Sequence, residues 1–481
     1  MLNMGKYEAV IGLEIHAQLS TESKLFCGDA TRFGAAPNTH VSPITLGHPG
    51  TLPKTNTKAI EYAIKMGLAC GCDIAQENYF ARKNYFYPDL PKGYQISQHT
   101  TPICVGGNIV INTAEGEKNI QLNRIHLEED AGKSIHDISP NDTFIDLNRA
   151  GTPLIELVTE PCIYSAEDAF LFVTEVRKLV RWLDVCDGNM EEGSLRCDAN
   201  ISVRLKGDPV LGTRVEVKNL NSIRNIKKAI EFEIERLIQL IETGGTIIQQ
   251  TRSFDANNDT TFSIRDKEDA NDYRYFPDPD LAPFHLTNEY IASIKAALPS
   301  LPNELKAAWK VAFGLSAYDT EQLCEHKGEA DFFIKLTQQT KHYKAAANWM
   351  IGPIRAYLNE TQLGYSDIEG SLPYLVELFN LVEAGQLNFS VASNKVFKAI
   401  MEQPQSPSKY AKANNLIQTQ SSESIANWIE EVLSANPEKV AEYKKGKKGL
   451  IGLFMGEVKK KSKGTADPKK TTQLLEQKLS S

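Results

Sequence analysis

From Ser194 to Arg204 apolar and polar positions alternate strictly. Leu195, Cys197, Ala199, Ile201 and Val203 point one way; Ser194, Arg196, Asp198, Asn200, Ser202 and Arg204 point the other. This period-two pattern predicts a strand with one buried face and one wholly polar face. After a connection containing Gly and Pro, a second strand is predicted in which Arg214, Glu216 and Lys218 alternate with Val215 and Val217. Paired, the two strands would present either a solvated hairpin face or a patch of fixed donors and acceptors suited to a polyanion. Shorter alternations at 9–19, 109–113, 120–127, 144–147 and 154–158, set apart by Gly, Pro, Asn and Asp clusters, predict further strands.

Helical spacing interrupts this β-rich part at 57–69, 166–183 and 225–243. The second helix would bury Phe170, Val173, Val176, Val180 and Leu183; the third ends at Gly244-Gly245, a common stop. From about residue 297 the pattern becomes helical, with helices expected over 304–313, 331–338, 343–358, 372–384 and 394–401. The stretch QPQSPS at 403–408 reads as a linker, and 422–433, 450–461 and 471–479 as a small helical unit. The expected class is α+β in three domains: a β-rich 1–296, an all-α 297–404 and a helical tail 405–481.

A chain of 481 residues is too long for one core, which agrees with that division. No apolar run approaches the roughly 18–20 residues that span a bilayer, and the N-terminus lacks a basic flank followed by an unbroken apolar core. The eight cysteines are scattered, as reduced thiols are. A cytoplasmic protein with no membrane partner is expected. The formal charge is −8, but from Tyr443 onward eleven lysines face three acids, so the tail carries +8 and the rest about −16. Of the polyanions such a tail could meet, RNA is favoured over an acidic partner or a membrane surface.

In VIGLEIHAQL, Glu14 and His16 are two apart and share a strand face, about 7 Å apart along the backbone. That pair can ligate a metal or orient an acid and a base. IHLEEDAG adds Glu128, Glu129 and Asp130, and PLIELVTE adds Glu156 and Glu160. Glu156 stands among Leu154, Ile155, Leu157 and Val158, a costly place for a carboxylate unless it is paired or metal-bound. Together these residues resemble an oxygen-rich divalent site: Mg²⁺ for the carboxylates, Mn²⁺ or Zn²⁺ to suit the histidine. Strand parity alone does not choose between Glu128 and Glu129. ARKNYFYPDLPKGYQISQ interleaves Arg82, Lys83 and Lys92 with Tyr85, Phe86, Tyr87 and Tyr94, charge for phosphate and rings for base stacking. NDYRYFPDPDLAP repeats the theme with Arg274 and Tyr275. There is no GxxxxGK[ST], no GxGxxG after a strand and no GxSxG. Cys70-Gly71-Cys72 has no second close pair to complete a zinc site.

The segments GLEIHAQL, KNYFYPDLPKGYQISQ, HLEEDAGKS, DLNRAGTPLIELVTEP, MEEGSLRCDANISVR, EVKNLNS and DYRYFPDPDL, in this order, resemble the GatB family, the B subunits of the bacterial Asp/Glu-tRNA(Asn/Gln) amidotransferase. GLFMGEVKKKSKGTADP is similar to that family's C-terminal unit, so the resemblance covers essentially the whole chain. It implies a cradle-like β-rich catalytic domain, a helical domain and a tail that grips the tRNA body. It also implies an ATP-dependent carbon–nitrogen ligase with glutamine as amido donor, part of a heterotrimer acting in protein biosynthesis. Members of the family phosphorylate the side-chain carboxylate of misacylated Glu-tRNA(Gln) or Asp-tRNA(Asn) with ATP and Mg²⁺. Ammonia from a partner amidase (the glutaminase GatA), assembled with the small GatC, then gives Gln-tRNA(Gln) or Asn-tRNA(Asn).

Carried over by resemblance, metal-binding and catalytic positions fall on Glu14, His16, Glu129 and Glu156. Motif chemistry assigns Lys83, Arg196, Asp198 and Lys218 to ATP and the acylated tRNA end. One departure concerns zinc. Some members carry CxC…CxxC near the N-terminus, where this chain has Cys27-Gly28-Asp29 and Ser42-Pro43-Ile44-Thr45. With one thiolate of four, structural zinc is not expected. The alternative function is a non-catalytic tRNA-binding scaffold of the same kind of complex.

Overall fold

In the computed structural model, which describes residues 4–136, 138–266, 273–418, 422–462 and 464–480, the alternating segments join in one mixed sheet of thirteen strands, except 144–147, which pairs with 133–135 in a small sheet of its own. Its main path uses β1 (Tyr7–Gln18), β2 (Ala81–Asn84), β3 (Tyr94–Ser97), β4 (Gly116–Glu129), β5 (Pro153–Thr159), β6 (Leu195–Leu205), β7 (Val215–Leu220), β8 (Gln250–Asp255), β9 (Thr260–Asp266) and β10 (Phe276–Pro277). Across the sheet the order is β9-β8-β7-β6-β1-β5-β4-β3-β2-β10. Every neighbouring pair on this path is antiparallel except β7 and β8. With helices in the second half of the chain, the class is α+β.

The alternation decides which side is buried. Ile11, Leu13 and Ile15 of β1, and Leu195, Cys197, Ala199 and Ile201 of β6, lie in the core, as do Val215 and Val217 of β7. Against that apolar side pack α1 (Thr57–Ala69), α2 (Ala166–Trp182) and α3 (Ile223–Glu242), all within one hydrophobic cluster. Each helix starts on a side-chain cap, Asn56, Ser165 or Ser222, which accepts a hydrogen bond from a backbone N–H of the first turn. In α2 the buried aromatic is Phe172; Phe170, expected in the core, is only half-buried and lies under Lys227. The helix turns by about 100° per residue, so Phe172 rather than Phe170 falls on the inward stripe.

Where α3 meets β8 and β9, Glu233 is fully buried. Its carboxylate is bound by Arg236 Nη2 at 2.7 Å, by Arg252 Nε at 3.0 Å and by the Thr261 hydroxyl. A buried charge requires such partners.

The chain divides into two compact units, Met1–Leu301 and Pro302–Ser481. In the second, the helix expected over 343–358 contains a π turn, Met350–Ile354, around Pro353, which lacks the N–H that an α-helical turn needs there. The expected linker at 403–408 is tied down instead. A helix, Pro407–Ala413, begins within it, and Ser406 Oγ and the Ser408 N–H donate to Glu377 Oε1 at 2.8 and 3.1 Å. Further on, Ser422–Ala435, Ile451–Lys461 and Pro468–Ser480 enclose Ile425, Ile429, Phe454, Val458, Leu475 and Leu479 in a core of their own. Lys459, Lys460 and Lys461 crowd the last turn of the middle helix and are exposed. Among the described residues no helix is long and apolar enough to cross a membrane.

Candidate active site

The polar side of the sheet holds the candidate chemistry, and strand register assembles it. Arg196 of β6, His16 of β1, Glu156 of β5 and His126 of β4 are directly opposed, so one row of side chains crosses four strands. Residues opposed in a ladder share a face. Two positions along β4, Glu128 joins this row. His16 Nε2 lies 3.3 Å from Glu156 Oε2 and 4.0 Å from Glu128 Oε1, and His126 Nε2 is 3.6 Å from both carboxylates. His16, Glu128 and Glu156 offer ligand atoms all within 4.8 Å of one another.

A second group lies two residues back along β1. Glu14, Asp198 and Glu216 also bring one oxygen each within 4.8 Å. Asn200 Nδ2 donates to Glu14 Oε1 at 2.9 Å, whereas Asn200 Oδ1 is buried with no hydrogen-bond partner among the described residues. Lys218 Nζ reaches Asp198 Oδ2 at 2.6 Å and Glu216 Oε1 at 3.4 Å. Arg196 Nη2 donates to Asp130 Oδ2 at 2.8 Å, and Gln18 Nε2 reaches the same oxygen at 2.7 Å.

The electrostatics follow from this crowding. Burial and the neighbouring Glu156, Asp198 and Glu216 carboxylates push Glu14 above the usual carboxylate range. Burial would also raise Glu156, but His126, His16 and Lys83 outweigh it and hold Glu156 well below that range. For Lys83, burial opposes the ammonium, yet Glu128 and Glu156 keep its pKa above the ordinary lysine value. Lys218 behaves likewise beside Asp198 and Glu216. The face is a lattice of fixed, charged groups.

Seven of the eight residues singled out in the sequence, Glu14, His16, Lys83, Glu156, Arg196, Asp198 and Lys218, therefore meet on one surface. Glu129 does not. As the immediate neighbour of Glu128 it points to the opposite side of the strand. There it pairs with Lys92 and accepts the Ile96 N–H at 2.9 Å. It lines a cavity of about 300 Å³ shared with Lys24, Arg82, Lys92 and Tyr94. His126 and the Glu128 contact were legible in principle: His126-Leu127-Glu128 repeats the spacing of Glu14-Ile15-His16.

At the zinc-type positions, Asp29 Oδ2 accepts from the Ser42 N–H at 2.8 Å, from Thr45 Oγ1 at 2.5 Å and from Cys27 Sγ at 3.3 Å. Burial pushes the Cys27 thiol above its ordinary pKa. A carboxylate thus staples this loop through hydrogen bonds.

A mixed sheet with an apolar side under helices and a carboxylate-lined polar side defines the class of this protein: the profile of the GatB/GatE catalytic domain matches residues 9–292, and that of the GatB domain matches 331–479. The chain is 45% identical over 478 residues to the B subunit of the aspartyl/glutamyl-tRNA(Asn/Gln) amidotransferase of Nitratidesulfovibrio vulgaris, covering 99% of this chain and 100% of that protein. It is 46% identical over 477 residues to the corresponding protein of Geotalea daltonii (98% and 99% covered) and 47% over 478 residues to that of Alkalilimnicola ehrlichii (99% and 100%). The chain belongs to the GatB family, the B subunits of the Asp/Glu-tRNA(Asn/Gln) amidotransferase.

Proposed function

We propose that this chain activates the side-chain carboxylate of a misacylated Glu-tRNA(Gln) or Asp-tRNA(Asn) with ATP and converts it to the amide. The observation that carries this reading is the pair of carboxylate groups, Glu14–Asp198–Glu216 and His16–Glu128–Glu156, side by side and bordered by Lys83, Arg196 and Lys218. A carboxylate resists ammonia because oxide is a poor leaving group. Its oxygen therefore attacks the γ-phosphorus of ATP, ADP leaves, and ammonia then displaces phosphate from the acyl carbon. No glutaminase motif lies in this chain, so the ammonia comes from a partner amidase. A heterotrimer with that amidase and a small third protein fits the need, in the cytoplasm where charged tRNA is found.

The donor sets fit divalent ions. Three carboxylates with the free Asn200 oxygen suit Mg²⁺, and the group containing His16 suits an ion that accepts imidazole as well. Bound there, such ions neutralise phosphate charge during transfer. The chain's own residues supply the rest. Glu128, not Glu129, completes the group with His16 and Glu156. Arg196, fixed by Asp130, and Lys218 hold positive charge beside the carboxylates for phosphate oxygens. Zinc has no role in this reading, because the Asp29 staple replaces three of the four thiolates it would need.

The test uses the full chain assembled with its partners, Glu-tRNA(Gln), γ-labelled ATP and Mg²⁺, with no amide donor. ATP cleavage is expected only when acylated tRNA and the divalent ion are both present, and chelation abolishes it. A complex that binds tRNA yet cleaves no ATP is a scaffold. The tail has its own readout. Replacing Lys444, Lys445, Lys459 and Lys460, all exposed, by alanine should weaken tRNA binding. The slope of log affinity against log salt should fall by about 1 for each lysine that meets a phosphate. An unchanged slope would remove the tail from the tRNA interface.

A further inference from the structure

One short piece of chain closes the cavity that holds Lys92 and Glu129. Most of residues 44–53 line it, and so does Ile96 of β3. Gly47, His48, Pro49 and Gly50 are exposed, whereas Ile96 and Glu129 are buried, so this strap is the outer wall and β3 the floor. Pro43, Pro49 and Pro53 fix φ and stiffen it. Among the described residues, the backbone hydrogen bonds of 46–53 stay within the strap. The Leu46 N–H reaches the Ser42 carbonyl at 3.1 Å, Gly47 that of Ile44 at 3.0 Å and His48 that of Pro43 at 2.9 Å.

Two feet fasten the strap. Before it, the His40 N–H donates to Asn148 Oδ1 at 2.8 Å, and the His40 carbonyl accepts from the buried Lys24 Nζ at 2.6 Å. After it, the Lys54 and Asn56 N–H groups bond the Phe26 and Leu25 carbonyls at 2.9 and 2.7 Å. Between the feet, two contacts hold it inward. One is Asp29, whose Oδ2 accepts from both Ser42 and Thr45 of the strap and from Cys27 beneath it. Partial burial would raise the Asp29 pKa, but these hydrogen bonds outweigh it and keep the carboxylate ionised. The other is Gly47, at φ 64°, where a β-carbon would come within 2.6 Å of Lys92 Cγ. The strap therefore lies directly on the Lys92 stem, which only glycine allows.

We propose that residues 42–53 form a hinged cover over this cavity and that Asp29 is its latch. With the latch made, Lys92 and Glu129 are enclosed. With it broken, the stiff strap swings on its two feet, and water and small polar solutes reach the pair. Hydrogen bonds to one carboxylate make and break by thermal motion, so the cover opens locally while the sheet stays folded. It stands on the opposite side of β4 from Glu128, and so governs access to the back of that strand rather than to the carboxylate row.

The test labels thiols of the folded full chain with a small methanethiosulfonate and identifies each modified site by peptide mass. Cys27 lines the cavity, Ile96→Cys places a second thiol on its floor, and the half-buried Cys162, away from the cavity lining, is the control. Asp29→Ala should speed labelling at both cavity positions about tenfold or more and leave Cys162 unchanged, because a hydrogen bond to a charged group is worth about that factor. Gly47→Ala should do the same with Asp29 intact. Asp29→Asn, whose amide oxygen still accepts from Ser42 and Thr45, should stay within about threefold. Thr45→Val removes one bond and should give an intermediate rise, which serves where Asp29→Ala does not fold. A chelator should change no rate. Equal cavity labelling with and without the latch, a rise shared by Cys162, or release by the chelator would each overturn the proposal.

Discussion

Glu128→Gln and Glu156→Gln should each lower tRNA-dependent ATP cleavage at least about a hundredfold, more than the loss of an outer partner of a metal ligand usually costs. Both carboxylates stand within reach of His16 and His126, and each substitution removes one negative charge from a group that can hold a divalent ion. Shape and hydrogen-bonding reach are nearly preserved, so folding should survive, as should tRNA affinity. Glu129→Gln should behave differently although it is the adjacent residue. Its carboxylate serves Lys92 and the Ile96 N–H on the far side of the strand. Its replacement should lower the unfolding midpoint, because Lys92 is left without its counter-charge, and leave cleavage per folded molecule within about tenfold. Thermal unfolding and cleavage rates measured on the same three variants decide the matter. Equal catalytic losses at 128 and 129 would remove the distinction drawn from the register.

The second large effect concerns stability. Glu233→Ala should cost about 3–5 kcal/mol, the range seen when one member of a buried ion network is removed. Arg252 and Arg236 converge on this carboxylate, and the Thr261 hydroxyl completes the set. Without it, two guanidinium groups and a hydroxyl remain where α3 meets β8 and β9, with no other carboxylate bound to them among the described residues. Glu233→Gln should recover part of the loss, since an amide oxygen still accepts from Arg252. Chemical denaturation of the full chain gives both numbers. A cost below about 1 kcal/mol for the alanine variant would mean that water reaches the arginines. Because β8 and β9 follow β7 at that side of the sheet, loosening them should also blunt the placement of Glu216 and Lys218.

The candidate site is legible in the chain as far as alternation reaches. On the polar face of β6, Arg196, Asp198 and Asn200 each make the kind of contact their alternation predicts, to Asp130, Lys218 and Glu14. Glu14 and His16 do share one face, but they serve different carboxylate groups, which their spacing could not reveal. Phe170 against Phe172 shows the same limit in a helix, where neighbouring residues differ by a rotation that only the packing partner selects.

The sequence by itself determined the longer strands and helices and, for most of them, the apolar side, because burial repeats with the period of the local backbone and needs no knowledge of distant residues. The short strands at 81–84, 94–97, 250–255, 260–266 and 276–277 were not legible, and the family was legible from its long motifs. Only the tertiary structure decided which acid of a neighbouring pair joins which group. Parity along one strand is a local property. Parity between strands depends on register, and the pairing of β4 with β5 and of β5 with β1 is what turns Glu128 toward His16 and Glu129 away. The same holds for the contact between the aromatic segments around Tyr85 and Tyr273, whose ring centres lie 6.1 Å apart. Asn84 and Tyr273 lie 189 residues apart, and no spacing rule connects them until β10 adds to the edge of β2.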